Sequence, residues 1–328
     1  MTPLIIIIII LALVFDFLNG IHDSSNIVAT MIASRAYSPR TALGMTAVAN
    51  FLGPFIFGVA VAETIGNEVV DAEAISLLVI LTALLSAIGW NILTWYLGFP
   101  SSSSHALIGG LVGAVLVGAG WEAILLPGLL KVLLTLLLSP LIGFIFGYLF
   151  LKILLLLCWN ATPKVNTVFK RSQFFTSISL ALSHGTNDAQ KTMGIITLTL
   201  VTAGVLEEFV VPQWVVFACA TMIALGTALG GWRLIRTLGG KIFRIKPIDG
   251  FGSQLSSTVV ILGASLIGGP VSTTQVVSTS IMGVGAAERM NKVRWGVGKD
   301  IAIAWLLTIP ATALVAAGLY WLLSHFID

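Results

Sequence analysis

Aliphatic runs such as Leu4–Leu13 and Leu125–Leu138 recur along the whole chain, and they constrain the fold more than any other feature. Only 9% of the 328 residues are charged and 57% are hydrophobic, with a mean hydropathy of +1.02. A soluble domain carries about 25% charged residues, so this composition cannot cover a water-facing surface. At about 20 residues per crossing the length accommodates roughly ten spans. The expected apolar segments are 3–34, 41–62, 74–97, 104–120, 132–157, 172–204, 214–231, 251–269, 274–286 and 300–323. The first lacks the basic residues that open a secretory leader, so it is expected to be a retained span. The chain is therefore read as an all-α polytopic membrane protein.

Charge placement gives the topology. Fifteen of the 17 Lys and Arg residues lie in four clusters: Arg35 and Arg40; Lys152 to Arg171; Arg233 to Lys246; and Arg289 to Lys299. The stretches Glu63–Glu73 and Leu206–Gln213 carry acids and no basic residue. Basic loops stay in the cytoplasm, which puts both termini outside and accounts for the net charge of +3 without nucleic acid. The first five spans then run opposite to the last five, an inverted-topology repeat of the kind found in secondary transporters. The halves are placed at 1–158 and 172–328, with a cytoplasmic linker at 159–171. Segments 3–34 and 172–204 exceed what a straight crossing needs, and a break is expected at the polar motif inside each.

Those motifs are Asp16-Phe-Leu-Asn19-Gly20-Ile-His22-Asp23-Ser-Ser-Asn26 and Ser183-His184-Gly185-Thr-Asn187-Asp188-Ala-Gln190-Lys191. Gly20, His22 and Asp23 match Gly185, Asn187 and Asp188. A second pair follows, with Pro100-Ser101-Ser102-Ser103-Ser104-His105 matching Pro270-Val-Ser272-Thr273-Thr274-Gln275. Broken helices or re-entrant segments are expected at these motifs. An ionised Asp at membrane depth costs about 2.5–3.5 kcal/mol, so something must offset Asp16, Asp23 and Asp188. Carboxylate and amide oxygens are hard cation ligands, and Asp23, Asn26, Asp188 and Asn19 are the candidates for a coupling cation. The Ser/Thr runs offer hydroxyls and free N–H groups at half-helix starts, which bind anions. Ser101, Ser102, Ser103, Ser104, Ser272, Thr273, Thr274, Gln190, Lys191, Asn187 and His22 are the substrate candidates. Cation oxygens beside anion donors, repeated about a two-fold axis, suit a cation-coupled oxyanion carrier. No prosthetic group is expected, only Na⁺ or H⁺ as the coupling ion.

The stretches Asn19–Asn26, Ala33–Pro39, Ser183–Gly194, Pro100–His105, Pro270–Gln275 and Ile281–Gly285 resemble the inorganic phosphate transporter (PiT) family over nearly the whole chain. The resemblance implies a symporter of inverted repeats that moves phosphate with H⁺ or Na⁺, assembled as a homodimer in the cell membrane. It places anion and cations around the Asp motifs and the Ser/Thr segments. Sulfate is the alternative substrate, since some short members carry it. Departures from the family pattern are His22, where Asn is frequent, and Gln275, where His is frequent. The long central loop of larger members is also missing.

Several residues have plainer readings. Lys191 is either a counter-ion for an Asp or an anion ligand. Asp16 either orients Asn19 or a histidine, or belongs to the site. Ser101–Ser104 could be a helix cap, but a cap needs one hydroxyl. Gly109, Gly110, Gly113 and Gly118 are read as close-packing residues, and the Trp residues as packing or interfacial. Ser, His and Asp at depth also raise an intramembrane hydrolase. A run of four Ser, and a second copy without the His, fit one activated nucleophile poorly.

Overall fold

The computed structural model describes residues 2–326, and helices occupy most of them. In chain order they are α1 (Pro3–Ala33), α2 (Pro39–Phe57), α3 (Ala60–Glu63, continued by a π turn, Thr64–Glu68), α4 (Leu77–Leu97), α5 (Ser103–Gly118) and α6 (Leu126–Leu157). There follow α7 (Val165–Thr202), α8 (Gln213–Leu229), α9 (Trp232–Arg236, with a π turn, Thr237–Lys241), α10 (Pro247–Leu266), α11 (Thr273–Glu288) and α12 (Trp295–Leu323). The second six repeat the first in order and closely in length, down to a π turn after the third helix of each set. No strand occurs among the described residues; an isolated bridge joins Val70 and Ile124.

Sequence explains where the helices start. Pro3, Pro39, Pro127 and Pro247 sit in the first turn of α1, α2, α6 and α10, where a missing N–H costs nothing. Ser102 and Ser272 cap α5 and α11 in the same way, accepting from the N–H of His105 at 3.2 Å and of Gln275 at 3.3 Å. Before each cap, the stretch around Pro100 or Pro270 is non-helical and buried. Irregular backbone at membrane depth is tolerated when enclosed by protein.

Four helices, α1, α4, α6 and α12, are long and apolar enough to cross a membrane, or six spans if each bent pair counts as one. The bent pairs are α2 with α3, at 76°, and α8 with α9, at 59°. This is fewer than the ten segments read from sequence, for two reasons. Helices α5 and α11 have 16 residues each, about 24 Å at 1.5 Å per residue, short of a core about 30 Å thick. Helices α7 and α10 are too polar, because their polar residues face protein rather than lipid. Helix α7 also begins at Val165, inside the stretch 159–171 set aside as a linker.

The expected breaks at the Asp motifs do not occur: α1 and α7 run unbroken through them for 31 and 38 residues. Gly20 and Gly185 serve crossings instead. A Cβ on Gly20 would collide with the carbonyl of Ile223 on α8, and one on Gly185 with the carbonyl of Asn50 on α2. The breaks lie at the Pro100 and Pro270 segments. Gly113 likewise lets α5 approach the Ala313 backbone of α12, the packing role expected for it.

Two apolar clusters frame the interior. One joins the first half of α1 (Ile5 to Phe15) to the last part of α7 (Ala189 to Leu200); the other joins Ile27 to Met31 of α1 to Leu180 and Ala181 of α7. The two helices therefore run antiparallel, and their polar motifs form a buried belt between the clusters.

Candidate functional site

The belt closes on Asp23 and Asp188, brought side by side by the antiparallel crossing of α1 and α7. The start of α11 lies across them. Thr273 Oγ1 is 2.8 Å from Asp188 Oδ2 and 3.2 Å from Asp23 Oδ2, and the Thr274 hydroxyl donates to Asp23 Oδ1 at 2.8 Å. Asn26 Nδ2 donates to the same Thr274 oxygen at 3.1 Å. His184 Nε2 lies 2.8 Å from Asp188 Oδ2 and 3.7 Å from Asp23 Oδ2, close but poorly aligned for a hydrogen bond. His22 Nδ1 lies 3.1 Å from Asp23 Oδ1. Asp23, His184 and Asp188 thus place one ligand atom each within 4.8 Å of one another, all buried.

Helix α5 enters from the other side. Lys191 Nζ pairs with Asp188 Oδ1, donates to Ser104 Oγ at 2.7 Å and to the Val271 carbonyl at 2.8 Å. In this arrangement Lys191 is the counter-ion of Asp188, one of its two expected roles. The four serines divide their tasks. Ser101 donates to Thr94 Oγ1 at 2.8 Å, Ser102 caps α5, and Ser104 donates to the Val271 carbonyl and accepts from Lys191. The Ser103 hydroxyl is buried without a partner.

Other sequence candidates turn away. Gln190 accepts from the Val61 N–H at 2.7 Å and donates to the Gly58 carbonyl at 2.5 Å, pinning the α2–α3 bend. Asn187 donates to Ser265 Oγ at 2.8 Å, beside the Pro270 segment. Ser272 is occupied as a cap, and Asn19 Oδ1 is buried without a partner. Ser102 Oγ and His105 Nδ1 are 2.7 Å apart, but His105 Nε2 faces Gln275 Nε2 at 3.4 Å and no carboxylate orients the ring as a catalytic triad requires.

The sequence model described as the phosphate transporter family matches residues 19–164 and 158–316. The chain belongs to the phosphate transporter family. It is similar to a protein of Bacillus subtilis named "Probable low-affinity inorganic phosphate transporter", 45% identical over 98% of this chain and 97% of that protein. A protein of the same name from Rhizobium meliloti is 46% identical over 97% of this chain and 96% of its own length. The solved structure titled "The sodium-dependent phosphate transporter" superposes with a TM-score of 0.89 at 26% identity, covering 99% of this chain and 100% of that one. This family member is accordingly a multi-pass membrane transporter and not an enzyme.

In this phosphate transporter family member two partners of the motif residues, one at the site and one at Asp16, lie outside the sequence candidates. Asn50 on α2 lies with Oδ1 3.1 Å from His184 Nδ1 and donates to Thr227 Oγ1 of α8 at 2.7 Å. Thr192 donates to Asp16 at 3.1 Å. An Asn within the apolar segment 41–62 was the available signal for the first; a Thr among apolar residues gave none for the second.

Proposed function

We propose that this chain carries inorganic phosphate across the cell membrane by symport with a monovalent cation, Na⁺ or H⁺. The observation that carries the reading is that Asp23 and Asp188, from two antiparallel copies of one motif, converge on a single hydroxyl, Thr273. A hydroxyl donates only one proton, and Lys191 already pairs with Asp188, so of the two adjacent buried carboxylates it is Asp23 that lacks a Lys or Arg counter-charge. A cation bound by Asp23, Asp188, Asn26 and the Thr274 hydroxyl would supply it. The anion is assigned to the starts of α5 and α11, where first-turn N–H groups, Ser103, Ser104 and the Lys191 ammonium gather. Substrate and coupling ion are supported by the relatives named as phosphate transporters and by the sodium-dependent neighbour.

The architecture that goes with this reading is an inverted repeat with both termini outside. It is supported by the repeated helix order, the antiparallel α1 and α7, and the basic clusters on one side. A homodimer is proposed with it on the family resemblance.

Counterflow in liposomes holding the purified protein tests the reading. Labelled phosphate should exchange, and excess sulfate should leave that exchange nearly intact. Net uptake should require a Na⁺ or pH gradient, and Asp23→Asn or Asp188→Asn should abolish it. Undiminished uptake in both variants would sink the site assignment; sulfate exchange without phosphate exchange would sink the substrate.

A further inference from the structure

Asp16 is fully buried and takes no part in the Asp23–Asp188 cluster. It sits seven residues earlier on α1, about 10 Å along the helix at 1.5 Å per residue. Thr192 donates to its Oδ1 at 3.1 Å, and its Oδ2 has no partner. One turn further along the same face, Asn19 Oδ1 is also buried without a partner. Duplication does not explain the acid, because the matching position in α7 is Ala181.

Two orphaned acceptors in an apolar interior call for something positive between them. The neighbouring charged groups, Asp188, His184 and Lys191 of α7, are engaged with one another. The other facing group is the Cys219 thiol on α8. Helices α4 and α8, which pack on α1, carry no Asp, Glu, Lys or Arg. Along this face a metal ion would find the side-chain oxygens of Asp16, Asn19 and Thr192 but no free carbonyl of α1, because that helix is unbroken. One proton on Asp16 Oδ2 satisfies both orphans, since the acid then becomes a donor toward Asn19 Oδ1.

We propose that Asp16 holds a coupling proton in a second cation site, formed with Asn19 and Thr192 between α1 and α7 and separate from the Asp23–Asp188 cluster. The step is the reversible transfer of a proton from a hydronium ion to one carboxylate oxygen, releasing water and giving a neutral acid that travels with the anion. The proposal rests on the symport reading, but its principal test needs no phosphate.

Infrared spectra of the full-length protein in lipid, in phosphate-free buffer at neutral pH, provide that test. The wild-type minus Asp16→Asn difference should show a carboxylic-acid C=O band that shifts in D₂O, while Asp23→Asn retains the band. Thr192→Ala leaves the acid in place and removes the hydrogen bond to its carbonyl oxygen, so the band should move to higher frequency. This second variant decides the matter where Asp16→Asn fails to fold. A difference spectrum without the band, an unmoved band in Thr192→Ala, or conversion of the band to a carboxylate signal on adding Na⁺ would overturn the proposal. In liposomes, the ratio of protons to phosphate entering should fall by one in Asp16→Asn, and an unchanged ratio would also overturn it. A wild-type protein that moves no phosphate would instead defeat the transport reading and leave the infrared result standing.

Discussion

Thr273 stands between two carboxylates with one proton to give. Its hydroxyl is within hydrogen-bond distance of both Asp23 and Asp188, so its choice and the presence of a cation are coupled. Removing a hydrogen bond to a buried charged group costs about 1.5–3 kcal/mol, roughly ten- to a hundredfold in affinity. Thr273→Val should weaken phosphate uptake by about that factor, and Thr273→Ser should restore most of it; equal activity in the two variants would show the hydroxyl to be idle. His184 depends on Asn50 in a similar way. Asn50→Ala leaves His184 Nδ1 without a partner, while Thr227 Oγ1 keeps its bond to the Ile223 carbonyl. The expected cost is about 1–3 kcal/mol for a buried unsatisfied group, read as a lower melting temperature of the purified protein. Asp23, Asp188 and Lys191 were legible in the sequence because charge at membrane depth is costly. Gln190 was legible as important, but its task was not, since only the fold brings the α2–α3 bend to its side chain.

At the level of elements, α1 and α7 are long, unbroken supports whose motifs are read out by the short helices α5 and α11. The glycines of the motifs keep these supports close to α8 and α2. Placing a methyl where Gly185 meets the Asn50 backbone forces the helices apart, and overpacking of this kind costs about 1–3 kcal/mol. Gly89 on α4 has open space around its missing Cβ. There Ala should stabilise by roughly 0.5–1 kcal/mol through helix propensity alone. Thermal unfolding of Gly185→Ala and Gly89→Ala should therefore shift in opposite directions, and a shared direction would refute the packing argument. Sequence suggested a break at the motifs that hold Gly20 and Gly185. A glycine permits either a break or a close crossing, and only the neighbouring helix decides between them.

Across the whole molecule, acidic and basic stretches separate along the chain. Lys131 pairs with Glu68 at 2.8 Å near Asp71 and Glu73, while Lys246 and Lys292 gather around Glu288 within the third and fourth basic clusters. With Cys158 and Cys219 replaced by Ser, a membrane-impermeant maleimide should label Glu73→Cys in intact cells. Arg244→Cys should be labelled only after permeabilisation. Both positions are exposed, and labelling of both from one side would overturn the inverted arrangement.

The sequence alone determined that the chain is helical, lies in a membrane and carries two copies of a polar motif pair, because burying charge and spanning lipid leave few other solutions. It also carried the family resemblance in those same motifs. The tertiary structure decided the rest. It kept α1 and α7 continuous, moved the breaks to Pro100 and Pro270, and sorted four adjacent serines into four different environments. It brought Asp23 and Asp188 onto one hydroxyl and left Asp16 apart with an unpaired oxygen. The physical reason is that a hydrogen-bond partner 176 or 250 residues away exists only once helices pack, whereas the cost of a charge in lipid belongs to the residue itself.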